Sequence, residues 1–455
     1  MYPMRSDSSY QLDMTQGSLY TKIFVYSLPL IFSNLLQVLF NMADIAVVGR
    51  FSGAAALGSV GSCAILVTMF TYFIIGIGNG LNVKVALFTG AKRDKDVSEY
   101  VQTGFLLALF LGFFMLAVGE LFSPAVLRLM NTQPELIDGA VLYLRIYFLG
   151  MPAMGIYNFG NGVLSAIGDT RRPLLFLTCA GVLNIVLNLV TVIGLHWSVA
   201  GVAVASAVSQ CFSAVLILRT LLKTRESYGL RLAGIRLIPE KLKGLLIIAL
   251  PAGLQGAIFA FANLFVQAGI NSLGTLMVEG NSAATNADGI VYDVMAAFYT
   301  ACTSFMSQNL GAGKKERVIA SYRIGLGYSF AAGLVLGVGL VLLGRPFLSL
   351  FTTEPEVIEA GMLRLRIMGL SYCVSAFMDC TIAGCRGLGE TVVPTFMVIM
   401  GSCVFRILWI FTIFRHFQTV PSLYLLYVFS WTITAACEYV YFRRILKRTF
   451  AGGTV

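Results

Sequence analysis

The chain has 455 residues, 57% of them hydrophobic and only 12% charged. Soluble domains carry about 25% charged residues, so a soluble enzyme is excluded. The net charge of +10 does not point to nucleic acid. The basic residues sit in short clusters between apolar stretches, as they do in the loops of a membrane protein.

Twelve apolar stretches follow one another, near 22–48, 55–82, 99–120, 140–165, 172–195, 199–222, 245–270, 283–306, 321–346, 362–386, 392–414 and 422–446. Each is long enough to cross about 30 Å of hydrocarbon as a helix. No long alternating pattern suggests strands, so the predicted fold is an all-α membrane protein. Residues 1–18 are polar, and no cleavable signal peptide is expected there.

The first stretch, LPLIFSNLLQVLFNMADIAVVGR at 28–50, is the most informative. Gln37, Asn41 and Asp44 are spaced to share one helix face, and Asn34 extends it by a turn. An acid near a helix centre costs roughly 2.5 kcal/mol or more to insert. Such a group usually faces a bundle interior or a water-filled cavity. A helix-end acid at headgroup level would not need the stripe of amides beneath it.

Later stretches add polar groups of the same kind. Asn158 lies in the fourth. Asn184 and Asn188 share a face of the fifth, and Ser206 sits in the small-residue run GVAVASA of the sixth. Asp44, two amides and a hydroxyl are oxygen donors that suit a hard cation or a proton held on the acid. The plainer reading of each amide is a hydrogen bond between helices. The eighth stretch holds Asp288 and Asp293, the tenth Asp379, and the eleventh Arg406, a partner for one of these acids. Lys84 and Glu438 are read as side chains that snorkel from helix ends. The nine cysteines fall in apolar stretches without metal spacing and are read as small core residues.

The chain repeats itself. NTQPELIDGAVLYLRI at 131–146 aligns with TTEPEVIEAGMLRLRI at 352–367, an offset of 221. Gly168-Asp169-Thr170 with Pro173 aligns with Gly389-Glu390-Thr391 with Pro394, and TGAKRDKD at 89–96 with LGAGKKER at 310–317. Leu28-Pro29 and Leu250-Pro251 match at 222. These matches predict a six-helix bundle at 1–222, a basic linker at 223–244 and a second six-helix bundle at 245–455. An even number of spans makes the repeat parallel, about an axis along the membrane normal. With both termini in the cytoplasm, 23 Lys and Arg, including Arg5, fall inside and 4 outside. That split sets the expected orientation.

Enzyme motifs are missing: no GxxxxGK[ST], no HExxH and no GxSxG. A secondary transporter accounts for this set better than a pump or a membrane enzyme.

At this point the chain resembles the multidrug and toxic compound extrusion (MATE) family over about residues 20–448. The carriers are Pro29, Gln37, Asn41, Asp44 and Gly49 in the first stretch, the loops at Gly90-Ala91 and Gly311-Ala312, and the doubled G-[DE]-T…P loops. The resemblance implies two bundles that export organic cations and other drugs in exchange for Na⁺ or H⁺. In one branch the ion site lies in the first bundle, at positions matching Asp44, Asn184, Asn188 and Ser206. Relatives often carry Asp where this chain has Asn188, which leaves the ion open. Another branch pairs a seventh-span acid with a tenth-span acid; here only Asp379 is present, beside the amides Gln255, Asn263 and Gln267.

The expected function is a monomeric antiporter of the cell membrane that exports amphipathic or cationic small organic molecules, without a cofactor and without nucleic acid. Gln37, Asn41, Asn158, Asp288, Asp379 and Arg406 are expected to line the substrate cavity. The alternatives are a flippase of lipid-linked saccharides, which would need a cationic cavity, and a non-transporting scaffold or sensor.

Overall fold

A computed structural model describes residues 11–130 and 132–451; Arg5 lies outside them. The described residues are helical throughout, with short connections. The helices are α1 (Leu19–Phe51), α2 (Gly53–Gly90), α3 (Asp94–Leu129), α4 (Pro134–Leu149), α5 (Met151–Ala166), α6 (Arg171–Asn188) and α7 (Ser198–Lys223). They continue as α8 (Pro239–Asn271), α9 (Thr275–Gly311), α10 (Lys315–Leu348) and α11 (Pro355–Gly387). The last are the short α12 (Val392–Val398), α13 (Phe405–Trp409) and α14 (Arg415–Phe417), and then α15 (Val420–Ala451).

Among the described residues, 10 helices are long and apolar enough to cross a membrane, or 11 with the bent pair α4 and α5. The twelfth span is α9, whose 37 residues suffice in length but carry Asn281, Asp288 and Asp293. The count of twelve spans therefore holds. The fourth span is not one helix, because it bends by 46° between α4 and α5. Pro152 at the start of α5 has no N–H to continue the ladder. The aligned position in the second half is Cys373, and there α11 runs unbroken.

Two compact units divide the chain: Phe32–Ala257 with the described residues before Met14, and Met14–Ile31 with the described residues from Ile258 on. The division falls inside α1 and inside α8, whereas the sequence repeat placed it at 223–244. Local anchors account for the difference. In the first unit the linker is tied down: Ile238 N–H donates to Thr103 Oγ1 at 3.3 Å, and Lys241 pairs with Asp96. In the second, the backbone before α1 is clamped. Arg317 donates to the carbonyls of Met14, Gln16 and Gly17, Lys314 to that of Thr15, and Asn309 to that of Met14.

In the first unit α2, α3, α5 and α7 surround a core that includes Leu81, Val101, Phe159, Val163 and Ile217. In the second, α9, α10 and α15 pack around α11, the most buried of the long apolar helices. Close crossings rest on glycine. A Cβ on Gly337 of α10 would run into the carbonyl oxygen of Gly369 on α11. Small residues at such a crossing let two membrane helices approach without a hydrophobic drive.

The repeated loops have a backbone cause. Gly168 and Gly389 adopt φ of +92° and +85°, which side-chain-bearing residues rarely adopt. In the other doubled loop the left-handed position is Gly313 in one copy and Lys92 in the other. Helical register also changes. Residues Leu189–Gly194, Ile399–Val404 and Ile410–Phe414 are wound as π-helix. The π turn at Ile399–Val404 admits one extra residue. The repeat offset is 221 at Pro173 and Pro394 before it, and 222 at Ser198 and Val420, the starts of α7 and α15.

Candidate functional site

The first-unit group assembles from three helices. Asp44 comes from α1, Asn184 and Asn188 from α6, and Ser206 from α7. Asn184, Asn188 and Ser206 are buried, and Asp44 is half-buried. Asn188 Nδ2 donates to Asp44 Oδ1 at 2.5 Å and to Asn184 Oδ1 at 3.2 Å. Ser206 Oγ donates to Asp44 Oδ2 at 3.3 Å, and Asn184 Nδ2 reaches Ser206 Oγ at 3.5 Å. The four residues selected from sequence therefore meet in space.

Helix geometry explains the meeting. Asn184 and Asn188 are one turn apart on α6 and face α7, on which Ser206 is carried by small residues. The helix turns to π winding immediately after Asn188. A π turn widens the backbone and is common at functional positions.

The group holds one formal negative charge and a surplus of acceptors. Asn188 Oδ1 is buried and accepts no hydrogen bond among the described residues. A buried acceptor without a donor is costly. A cation placed among Asp44, Asn184, Asn188 and Ser206 would use it, since hard cations take oxygen ligands. Alternatively, rotating the Asn188 amide would turn its oxygen to Asp44 and accept a proton carried there.

The other α1 amides are not part of this group. Gln37 and Asn41 are exposed on the helix. Asn158 donates to Met154 O on its own helix at 3.0 Å, which is the plain structural role. The buried stack of Tyr143 and Tyr147, with ring centroids 5.8 Å apart, lies within electrostatic reach of Asp44. Sequence reading missed it; its one signal was the i, i+4 spacing on α4.

The second unit corrects several expectations. Asp288 is paired with Arg364, which the sequence reading did not single out: Arg364 Nε and Nη2 donate to Asp288 Oδ2 at 2.7 and 2.6 Å. Arg364 also donates to Asn281, which accepts a further hydrogen bond from Tyr424 OH at 2.8 Å. Glu438 does not snorkel from a helix end. It is fully buried, and neither carboxylate oxygen has a hydrogen-bond partner among the described residues. Asp379 is buried too, with Oδ2 unpartnered, and both acids interact electrostatically with Arg386. Arg406 is buried without an ion pair among the described residues. The cysteines divide: Cys179, Cys211 and Cys437 are exposed, Cys373 is half-buried, and the other five are buried. Outward-facing cysteines in an apolar span are lipid-compatible, so apolar context did not distinguish them from core residues.

The comparisons with known proteins bear on the family and the fold. The MatE family model matches twice, at residues 29–190 and 251–412. Both copies begin at the prolines inside α1 and α8. The chain is 30% identical to the probable multidrug resistance protein YpnP of Bacillus subtilis, over 79% of this chain and 80% of that one. It is 27% identical to the probable multidrug resistance protein NorM of Thermotoga maritima, over 86% of this chain and 85% of that one. Among solved structures, a multidrug resistance MATE family transporter in an outward-facing conformation superposes with a TM-score of 0.88. It is 23% identical, with 96% of this chain and 98% of that one covered. Both halves of the duplication, the helical architecture and the relatives agree: this chain is a membrane transporter, not an enzyme, and belongs to the MatE family.

Proposed function

We propose that the chain is a secondary antiporter that exports amphipathic or cationic drugs and other small organic molecules, driven by an ion taken up at Asp44. The observation that carries this reading is the half-buried Asp44 carboxylate beside the orphaned acceptor of Asn188. An ion can drive alternating access only if its binding changes the preference between two states. A carboxylate at the meeting of three helices does this, because its occupancy alters what α6 and α7 must satisfy. The names of the relatives support drug export and give no support to the lipid-linked saccharide flippase.

The proton is the better-supported coupling ion. One carboxylate suffices for a proton, whereas Na⁺ capture needs all four groups well placed. Charge neutrality does not separate the two, since one carboxylate faces one monovalent cation in either case. The proposed setting is the cell membrane, with both termini cytoplasmic and the monomer as the working unit. The test is transport by reconstituted protein in Na⁺-free buffer under an inward pH gradient, which should drive export. Strict dependence on a Na⁺ gradient at fixed pH and potential would overturn the proton assignment and leave the Asp44 site standing.

A further inference from the structure

Arg406 sits on α13 with 3% of its surface exposed. Its Nη1 lies 3.4 Å from Asn263 Oδ1 of α8, and its Nε lies 3.5 Å from Ser430 Oγ of α15. Both are long, weak hydrogen bonds. The guanidinium lies over the ring of Tyr427 at 4.4 Å and over that of Phe259 at 5.3 Å. No carboxylate is within ion-pairing distance of it among the described residues, whereas Arg364 of the same unit has its acid. Asp379 acts electrostatically on Arg406, as it does on Arg386, without forming an ion pair with Arg406. A buried charge without a paired partner is costly to keep, and in a membrane helix it marks a functional position.

Helical register identifies that position. Beyond the π turn at Ile399–Val404 the repeat offset is 222, which places Arg406 where the first unit has Asn184. The offset of 222 at Leu28-Pro29 and Leu250-Pro251 places Asn263 where the first unit has Asn41 and puts Val266 where it has Asp44. The second unit thus repeats the ion-site helices with the charge reversed: the acid becomes valine, and an amide becomes arginine. The adjoining stretch of α8 carries amides. Asn263 and Gln267 are exposed on one face of α8, and Gln267 Nε2 donates to Asn271 Oδ1 at 2.9 Å. Exposed amides on a membrane helix line water more readily than lipid.

We infer that Arg406, with Asn263, Ser430 and the rings of Tyr427 and Phe259, forms a subsite for an anionic group of a transported molecule, a carboxylate or a phosphate. The inference rests on the transporter reading and names a substrate class for it. The guanidinium presents a planar donor fork that suits either oxyanion, and the two rings accept an aromatic or apolar body beside it. Molecules with one anionic group on an apolar frame are the class so defined.

The test is equilibrium binding to the purified full-length protein in phosphatidylcholine nanodiscs, read by fluorescence anisotropy. The probes are fluorescein, an anion, and rhodamine 123, a cation on the same xanthene frame. Because no flux is read, a failure of ion-coupled export does not affect the outcome. Arg406→Gln should weaken fluorescein binding by about tenfold or more, the equivalent of one charge-assisted hydrogen bond, and leave rhodamine 123 within about twofold. Arg406→Lys should recover part of the fluorescein affinity. Asn263→Asp, at an exposed position, sets a carboxylate against the guanidinium and should have the same selective effect even if Arg406→Gln fails to fold. Unchanged fluorescein binding in Asn263→Asp, or equal loss of both dyes in folded variants, would overturn the subsite. So would competition by phosphatidylglycerol in the nanodisc that Arg406→Gln abolishes, because the arginine would then read a lipid headgroup.

Discussion

Replacing Asp44 by Asn is the sharpest perturbation of the first unit, because it keeps shape and removes the only formal charge among the four clustered side chains. The carboxylate accepts from Asn188 Nδ2 at 2.5 Å and from Ser206 Oγ at 3.3 Å. An amide in its place accepts at one atom only and can set its own NH₂ against that of Asn188. Losing one partner of a buried, hydrogen-bonded charge pair costs about 2–5 kcal/mol. For Na⁺ that corresponds to roughly thirtyfold to several-thousandfold in affinity; a proton, which an amide does not take up, has no carrier left at this position. Asn188→Ala removes one hydrogen bond to a charged group, about 1.5–3 kcal/mol, and leaves the charge in place. The order of effects is therefore Asp44→Asn above Asn188→Ala, at equal expression and equal elution on size exclusion. The assay is dye efflux from proteoliposomes under an imposed gradient, with the concentration of the driving ion varied to find half-saturation. Wild-type half-saturation in Asp44→Asn, or a larger defect in Asn188→Ala, would refute the reasoning.

Further expectations concern the second unit. Asp379→Asn should impair export of cationic dyes more than of neutral ones, measured as paired efflux rates, since it takes a counter-charge from a buried site; equal impairment would remove that role. Asp288→Ala strands Arg364, which is 6% exposed, and should cost about 3–5 kcal/mol of stability in a detergent unfolding titration. The double change Asp288→Leu with Arg364→Leu should recover most of that loss, because no uncompensated charge remains. Gly337→Val should lower the apparent melting temperature, whereas Gly339→Val, whose Cβ would meet open space, should not.

What the sequence disclosed and what it hid have physical causes. The twelve spans and the duplication were legible because hydrophobic length and repeated loop residues are local signals, and Gly168 and Gly389 need their left-handed backbone whatever surrounds them. The Asp44 group was legible for a similar reason: each member breaks an apolar run, and i, i+4 spacing fixed the face of Asn184 and Asn188. The remainder depends on partners far along the chain. Arg364 meets Asp288 across 76 positions, so sequence could offer Arg406 just as readily. Glu438 lies near a basic helix end, and only packing shows that it points inward. The break at Pro152 lay within a single apolar run, where hydropathy is blind to direction.

The clamp on residues 14–17 has a consequence for how the molecule is made. Its acceptors leave the ribosome well before the donors that hold them; Asn309, which donates to the Met14 carbonyl, lies 295 positions further along the chain. At about 5–20 residues per second, translation puts roughly 15–60 s between the two. During that interval the start of α1 has no native docking site for its backbone. Membrane insertion of the first spans must therefore proceed with this segment undocked. Closure of the second unit around Met14, which is fully buried in the finished protein, is a late step of biogenesis.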